Sequence, residues 1–207
     1  MRIVFATGNK DKMREIRKIL GGLDAEILSM KEAGNDIDVE ENGTTFSENA
    51  RIKADAIYKA IEEKDPELAK NTIVLADDSG LEVDYLGGEP GIYSARYLGK
   101  DTPYSEKNQI IIDRLKDAKD RERTARFVCA IAACLPGGHN LDTLGMMEGR
   151  IAYEIAGENG FGYDPIFFLP EYGMTSAQIS EDQKNAISHR GKALRAMAKL
   201  LSAEIDS

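Results

Sequence analysis

The sequence predicts an α/β fold with a long central sheet. Two observations support this class: short apolar runs rich in β-branched residues alternate with segments of helical periodicity, and Gly, Pro and Asn turns separate them. The 207 residues contain no internal repeat and no flexible linker. This length fits one large domain or two closely associated lobes, and the mixed order of strands and helices favours helices packed on a mixed sheet.

The first strand and the first helix are separated by a glycine turn. Residues 2–6 are apolar and β-branched, and Thr7-Gly8-Asn9 follows directly. From Lys10 the apolar residues recur at helical spacing, and Gly21-Gly22 is expected to end that helix. The chain therefore begins with a strand rather than with a secretory signal.

Strand and helix patterns continue to alternate in the middle of the chain. Thr45 and Glu48 form a capping-box pattern, which predicts the start of a second helix. Residues 62–71 are charged and are predicted to form a solvated excursion. Residues 72–76 are predicted as a buried strand that ends before an acidic pair, and residues 81–85 as a half-buried strand.

The last third predicts a hairpin, a short strand and a final helix. Thr102-Pro103 is expected to open the helix that precedes them. Residues 126–135 and 146–155 are strand-like and flank a Pro-Gly-Gly turn, which predicts the hairpin. Residues 165–169 are the predicted strand, and Ser188 is a candidate cap for a helix whose inward residues are Leu194, Met197 and Leu201.

Charge and apolar content exclude several function classes. Lys and Arg number 27 against 36 Asp and Glu, so the formal net charge is −9. This excess of acid argues against a nucleic acid or an anionic membrane as partner. The longest apolar run, residues 127–135, is far shorter than the roughly 20 residues of a spanning helix. Cys129 and Cys134 lie in that run and are expected to be small buried hydrophobes in a reducing cytoplasm.

The first glycine turn is a candidate phosphate site. Gly8 allows close approach of the backbone, and a helix start offers free N–H groups and a partial positive charge. The Walker pattern is absent, and the alternative is a plain turn whose Asn9 only caps the helix. The candidate residues are Thr7, Gly8, Asn9, Lys10, Asp11 and Lys12.

Two acidic pairs are candidate ligands for a hard cation. Mg²⁺ takes one or two carboxylates together with water and phosphate oxygens. Glu40-Glu41 and Asp77-Asp78 could supply them, although the alternative is that these carboxylates are only solvated. That alternative is weaker for Asp77-Asp78, because the pair directly follows a buried apolar run.

An aromatic, glycine-rich segment is a candidate base site. Glycines on either side leave the ring of Phe161 open to a planar group, and Asp164 offers an acceptor; the alternative is that Phe161 packs inward. His189 and Arg190 follow Ser188 in the first turn of the final helix, where acidic residues are favoured, so this charge indicates a functional constraint.

These clusters, in this order, resemble the inosine triphosphate pyrophosphatase family, whose members hydrolyse ITP, dITP and XTP to the monophosphate and pyrophosphate. The resemblance extends from residue 3 to about residue 200. Seven segments carry it: Ala6-Thr7-Gly8-Asn9-Lys10, Thr45-Phe46-x-Glu48-Asn49-Ala50, Ala76-Asp77-Asp78-Ser79-Gly80-Leu81, Gly91-Ile92-Tyr93-Ser94-Ala95-Arg96-Tyr97, Glu148-Gly149-x-Ile151, Gly160-Phe161-Gly162-Tyr163-Asp164-Pro165 and Ser188-His189-Arg190.

The resemblance implies a fold and a set of residue roles. The fold is a single elongated α/β domain over residues 1–207, with two lobes around a central substrate cleft, and the assembly is a homodimer. Thr7 to Lys12 would bind the triphosphate, Glu40 (or its neighbour Glu41) would bind Mg²⁺, and Asp78 would be the general base and a possible metal ligand. The implied nucleotide-binding residues are Ser79, Phe161, Gly162, Tyr163, Asp164, Lys184, His189 and Arg190.

The expected function is Mg²⁺-dependent pyrophosphate release from non-standard purine nucleoside triphosphates in the cytoplasm. Donors aimed at the 6-oxo group would reject ATP, whose 6-amino group is itself a donor. Lys184, His189 and Arg190 are the candidate donors. Two alternatives are a nucleotide-binding sensor without turnover and a pyrophosphatase for modified pyrimidine nucleotides.

Overall fold

A computed structural model of the chain describes residues 1–35 and 37–205. Helices and strands alternate along it as the sequence predicts. The strands are β1 (Arg2–Phe5), β2 (Glu26–Ser29), β3 (Thr72–Val83), β4 (Thr124–Cys134), β5 (Asn140–Ile151), β6 (Phe167–Leu169) and β7 (Met174–Thr175). The helices are α1 (Lys10–Leu20), α2 (Phe46–Lys64), α3 (Pro66–Ala69), α4 (Tyr104–Arg114), α5 (Glu181–Ile187) and α6 (His189–Ile205).

The described strands form one mixed sheet in the order β2-β1-β3-β4-β5-β6-β7. β1 lies parallel to both β2 and β3, and Phe5 is in register with Ser29 on one side and Leu75 on the other. β6 is antiparallel to β5 and to β7. This mixed sheet with helices between its strands confirms the predicted α/β class.

The chain divides into two compact units. The first contains Met1–Asp78, Cys129–Gly145 and the chain from Arg190 onward. Its core joins apolar residues of α1 and α6 to those of β1, β3 and β4, with Ile16 and Leu194 fully buried. The predicted inward residues of the last helix are all buried, namely Leu194, Met197 and Leu201.

The second unit contains Ser79–Val128 and Met146–His189. Its core joins apolar residues of α4 to those of β3 to β6, and Leu81, Ile111 and Phe167 are fully buried there. Burial of such side chains supplies most of the stability of each unit.

The structure corrects the predicted break in β3. The strand runs without interruption from Thr72 to Val83 and includes Asp77 and Asp78. Two adjacent acids were expected to end a buried strand. They are tolerated inside it because side chains from other elements neutralise or hydrogen-bond them.

Two other boundaries differ from the prediction. Residues 62–71 are not an irregular excursion, since α2 continues to Lys64 and Asp65 caps α3 by accepting a hydrogen bond from the amide of Leu68. β5 begins at Asn140, because Gly137 and Gly138, with φ of 84° and 79°, turn the chain tightly just before it. The strand ends at Ile151, short of the predicted residue 155. The sequence reading did not predict α5 and β7.

Both cysteines are free and buried, as predicted. Among the described helices, none combines the length and the apolar character needed to cross a bilayer.

Candidate active site

Asp77 is an ionised carboxylate buried inside β3. Only 1% of it is exposed, and its oxygens lie 2.9 Å from Nζ of Lys12 and 3.4 Å from a guanidinium nitrogen of Arg190. Burial alone would raise the pKa of Asp77, but the charges of Lys12 and Arg190 outweigh it and hold the pKa well below its usual value. Asp77 therefore joins α1 and α6 to the middle of β3.

Arg190 occupies the first turn of α6 and is 3% exposed. Besides Asp77, its guanidinium pairs with Glu15 of α1 at 2.7 Å. These two carboxylates explain the positive charge at a helix start, which the sequence reading attributed to nucleotide binding. The guanidinium of Arg190 is thus paired with buried protein carboxylates, and its role in nucleotide binding stays a prediction.

Asp78 is adjacent in the chain and has different surroundings. Its Oδ2 accepts a hydrogen bond of 3.0 Å from Nδ2 of Asn49 on α2, and 8% of the residue is exposed. Burial raises the pKa of Asp78 to about 6, helped by the negative charge of Glu41 and opposed by the Asn49 hydrogen bond. At neutral pH this carboxylate is ionised, and it is a stronger base than an ordinary aspartate.

Asn49 and Lys53 are site residues that the sequence reasoning missed. Asn49 is fully buried and also accepts a hydrogen bond from the amide of Gly43, where a Cβ would lie 2.7 Å from that of Glu48. Nζ of Lys53 lies 2.5 Å from Glu41 and donates to the carbonyl of Asp77 at 3.0 Å. Their sequence spacing could have indicated them. Asn49 and Lys53 are four residues apart, and each precedes an alanine of the buried face, so both lie on one face of α2.

Glu41 interacts electrostatically with the buried residues of this region, and its neighbour Glu40 lies on the surface. The charges of Asp77 and Glu41 raise the pKa of Lys53 although its burial opposes this, and Glu41 also acts on Asp78. Glu40 is exposed. The structure therefore places Glu41 near enough to Asp78 to act on its charge, and the metal-binding role predicted for Glu40 stays a prediction.

We tested this carboxylate pair as a cation site. Among residues 1–35 and 37–205, no group of three or more His, Cys, Asp or Glu side chains could hold a metal ion. Asp78 and Glu41 form a smaller set: the pKa of Asp78 is raised mainly by burial and further by repulsion from the charge of Glu41. A cation would relieve that repulsion. Two carboxylates also suffice for Mg²⁺ when water and phosphate supply its other ligands, so this donor set fits.

The turn before α1 is built as a helix cap. Oδ1 of Asn9 accepts hydrogen bonds from the amides of Asp11 and Lys12, at 2.9 Å and 3.2 Å, and the hydroxyl of Thr7 accepts one from the amide of Asn9. Gly8, Lys10 and Asp11 are exposed. Because the cap already satisfies two of the free amides, the side chain of Lys10 is the more accessible donor for an anion at this helix start.

The second unit contains another cluster, centred on Asp164, which is 2% exposed. Its Oδ2 accepts hydrogen bonds from the amide of Phe161 at 2.8 Å and from Nζ of Lys184 at 2.5 Å, and its Oδ1 accepts one from the hydroxyl of Ser176. Asp164 was predicted as an acceptor for a purine. With three donors on it, this carboxylate positions Phe161 and Lys184, and its role toward a purine stays a prediction.

The glycine-rich loop, residues 157–164, holds Phe161 against Lys184. Nζ of Lys184 lies 4.8 Å from the centre of the Phe161 ring. Gly160 has φ of +73°, and a Cβ on it would lie 2.2 Å from Oδ2 of Asp164, so only glycine fits there. The close packing of loop and carboxylate fixes the direction of both side chains.

The remaining predicted residues make internal contacts of the second unit. The hydroxyl of Tyr163 donates to the carbonyl of Ser94 at 2.7 Å, and the ring of His189 stacks on that of Phe127 with centres 4.8 Å apart. Ser79, at the start of this unit, is partly exposed. The predicted site residues thus fall in both units, and in the second unit Phe161, Asp164 and Lys184 contact one another.

Three comparisons bear on the resemblance carried by the motifs. Residues 3–200 match the Ham1 family. A dITP/XTP pyrophosphatase of Clostridium perfringens is 49% identical over 193 residues, 93% of this chain and 93% of that protein. The enzyme of the same description from Bacillus subtilis is 43% identical over 200 residues, 97% of this chain and 96% of that protein.

A solved structure is similar as well. The structure of a HAM1 protein from Coxiella burnetii has a TM-score of 0.85 and 38% identity, and the match covers 98% of this chain and 99% of that one. Together these similarities confirm the family resemblance and the α/β fold predicted from the sequence.

The buried charge of Asp77 predicts a specific acid sensitivity. Because the pKa of Asp77 is lowered in the folded protein, the unfolded chain binds more protons, and the stabilisation is present above about pH 5 and lost as the pH falls. Asp77→Asn removes this dependence. In urea unfolding, the stability advantage of the wild type over D77N should be about 1 kcal/mol smaller at pH 3 than at pH 6.

Asp11→Asn, at an exposed position of α1, controls for the general effect of removing one acidic group. An advantage over D77N that stays constant or grows toward pH 3 would contradict the assignment of Asp77 as a buried ion-pair partner.

Proposed function

The chain belongs to the Ham1 family, and from this premise we propose that it hydrolyses non-standard purine nucleoside triphosphates (ITP, dITP and XTP) to the monophosphate and pyrophosphate. The observation that carries the proposal is the pair Asp77-Asp78 on β3. Asp77 forms ion pairs with Lys12 and Arg190. Asp78 accepts a hydrogen bond from Asn49 and forms no ion pair with those two cations. The names of the similar enzymes, dITP/XTP pyrophosphatases, support the substrate class.

The first unit would take the triphosphate. Lys10 is exposed at the start of α1, where the helix dipole also favours an anion. Lys12 is fixed beside it by its pair with Asp77 and still has a proton to donate. Both ammonium groups would offset negative charge that develops on the leaving pyrophosphate.

Asp78 would act on the attacking water. Its carboxylate accepts the proton of the water while the water oxygen bonds to phosphorus and the α–β anhydride bond breaks, so that pyrophosphate leaves. The Asn49 hydrogen bond holds the carboxylate in one orientation for this transfer. Asn49 therefore has a positioning role in the proposed mechanism.

We further propose that Asp78 and Glu41 hold Mg²⁺, with Glu40 as the alternative that the sequence favoured. A cation bound there would offset the charge of the triphosphate and polarise the phosphoryl oxygens. Lys53 pairs with Glu41 and so holds the Glu41 carboxylate in place. No further residue is required, because water and phosphate complete the ligand set of Mg²⁺.

The second unit would take the base. Phe161 offers a ring for stacking, and the ammonium of Lys184 is a donor for the 6-oxo group of hypoxanthine or xanthine. Adenine presents a 6-amino donor at that position, and a donor facing a donor leaves both unpaired. Asp164 contributes by holding Lys184 in place.

The family resemblance also supports a homodimer, and two free, buried cysteines are compatible with a reducing cytoplasm. Both remain parts of the proposal.

A substrate panel tests the proposed activity. The protein is incubated with Mg²⁺ and with ITP, XTP, dITP, GTP or ATP, and the products are identified by ion-exchange chromatography. We expect monophosphate and pyrophosphate from ITP, XTP and dITP, with kcat/KM at least about a hundredfold above that for ATP, since an unpaired buried donor is strongly unfavourable. Release of orthophosphate, equal use of ATP, or binding without turnover would refute the proposal.

The metal assignment is tested by a matched pair of adjacent variants. Glu41→Gln should raise the Mg²⁺ concentration needed for half-maximal activity about tenfold or more, because one anionic ligand is lost. Glu40→Gln removes the same charge one residue away and should change that concentration less than twofold. The reverse result would assign the ligand to Glu40.

A further inference from the structure

Helix α4 contacts the glycine-rich loop through a residue that the proposed mechanism does not use. Asn108 is 2% exposed, and its Nδ2 donates a hydrogen bond of 3.1 Å to the carbonyl oxygen of Gly162. Its Oδ1 is buried and has no hydrogen-bond partner among the described residues. A buried amide that satisfies one end and leaves the other unsatisfied requires an explanation.

The orientation of this amide is set by the loop. Rotating it by half a turn would place Oδ1 against the carbonyl oxygen of Gly162, and two acceptors would then face each other. The donor therefore points at Gly162 although the acceptor is left without a partner. Such a local violation of hydrogen-bond satisfaction is typical of a site kept for function rather than for stability.

The carbonyl that Asn108 holds belongs to Gly162, the residue that follows Phe161. Gly162 has φ of +68°, a left-handed conformation that glycine adopts readily. Asp164 accepts a hydrogen bond from the backbone amide of Phe161 itself. Two hydrogen bonds thus hold the backbone around Phe161: the Phe161 amide donates to Asp164, and Asn108 donates to the carbonyl of Gly162.

Other residues of α4 support the same segment. The rings of Tyr104 and Tyr163 meet edge to face, with centres 5.2 Å apart and planes at 87°. A Cβ on Gly162 would lie 3.6 Å from Tyr104, so ring and loop are in close contact. The helix therefore forms a rigid support for the loop, and Asn108 is its polar link.

We propose that Asn108 is a positioning residue for the base: by fixing the Gly162 peptide it sets the plane of Phe161, and so it determines affinity for the purine and not for the phosphates. This inference rests on the proposed function, since it assigns the base to Phe161. It adds a specificity-determining residue on an element that carries no predicted site residue.

Asn108→Leu tests the proposal, because it keeps the size of the side chain and removes the donor. KM for ITP should rise about three- to tenfold, the range for loss of one hydrogen bond, while kcat stays within about twofold of the wild type. The inhibition constant of inorganic tripolyphosphate, which lacks a base, should not change. Gln109→Leu, one residue further on α4 and exposed, makes the same chemical change and should leave all three constants unaltered.

A general structural role predicts a different result, since ITP and tripolyphosphate would then weaken together. That outcome, or an unchanged KM for ITP, would overturn the proposal. Should N108L not fold, Asn108→Ala removes the donor without added bulk and carries the same expectation.

Binding of IMP, measured by calorimetry, separates this inference from the proposed function. IMP binding needs no turnover, and N108L should bind it about three- to tenfold more weakly than the wild type. If the wild type binds IMP but hydrolyses no triphosphate, the proposed activity fails while the role of Asn108 is still decided by this comparison. Equal IMP affinity of the two proteins would overturn the inference.

Discussion

The arrangement of the first unit depends on one constraint, the burial of the Asp77 carboxylate inside β3. An ionised carboxylate that is 1% exposed must be matched by cations, because its desolvation is strongly unfavourable. Lys12 and Arg190 supply them, and Glu15 in turn neutralises part of Arg190. The same contacts fix the start of α1 and the start of α6 against the sheet, so that Lys10 and Lys12 lie at a defined position.

The neighbouring carboxylate, Asp78, is also buried but has different partners. Successive residues of a strand point to opposite faces, so Asp78 points away from Lys12 and Arg190 and accepts a hydrogen bond from the amide of Asn49. Asp78 forms no ion pair with Lys12 or Arg190, and the negative charge of Glu41 acts on it. A bound cation would be stabilised by these two carboxylates. In the proposed mechanism, the two adjacent acids therefore differ in role: Asp77 stabilises the fold and Asp78 accepts the proton of the attacking water.

Local features were predictable from the sequence, and remote partners were not. Asn9 caps α1 and Leu194 faces the core, as helical spacing and capping rules predict. The continuity of β3 was missed because the cations that permit it lie 65 and 113 residues away, at Lys12 and Arg190. The internal contacts of Asp164 could likewise not be predicted, since nothing in the sequence shows that Phe161, Ser176 and Lys184 all donate to it.

The division of roles between Asp77 and Asp78 is tested most directly by kcat for ITP in Asp78→Asn, with IMP affinity and thermal stability measured on the same protein. The account predicts a fall in kcat of about a hundred- to ten-thousandfold, the contribution typical of a general base. IMP affinity and the melting temperature should remain close to those of the wild type, because Asp78 carries no ion pair with Lys12 or Arg190. Near-normal turnover by D78N would contradict the account.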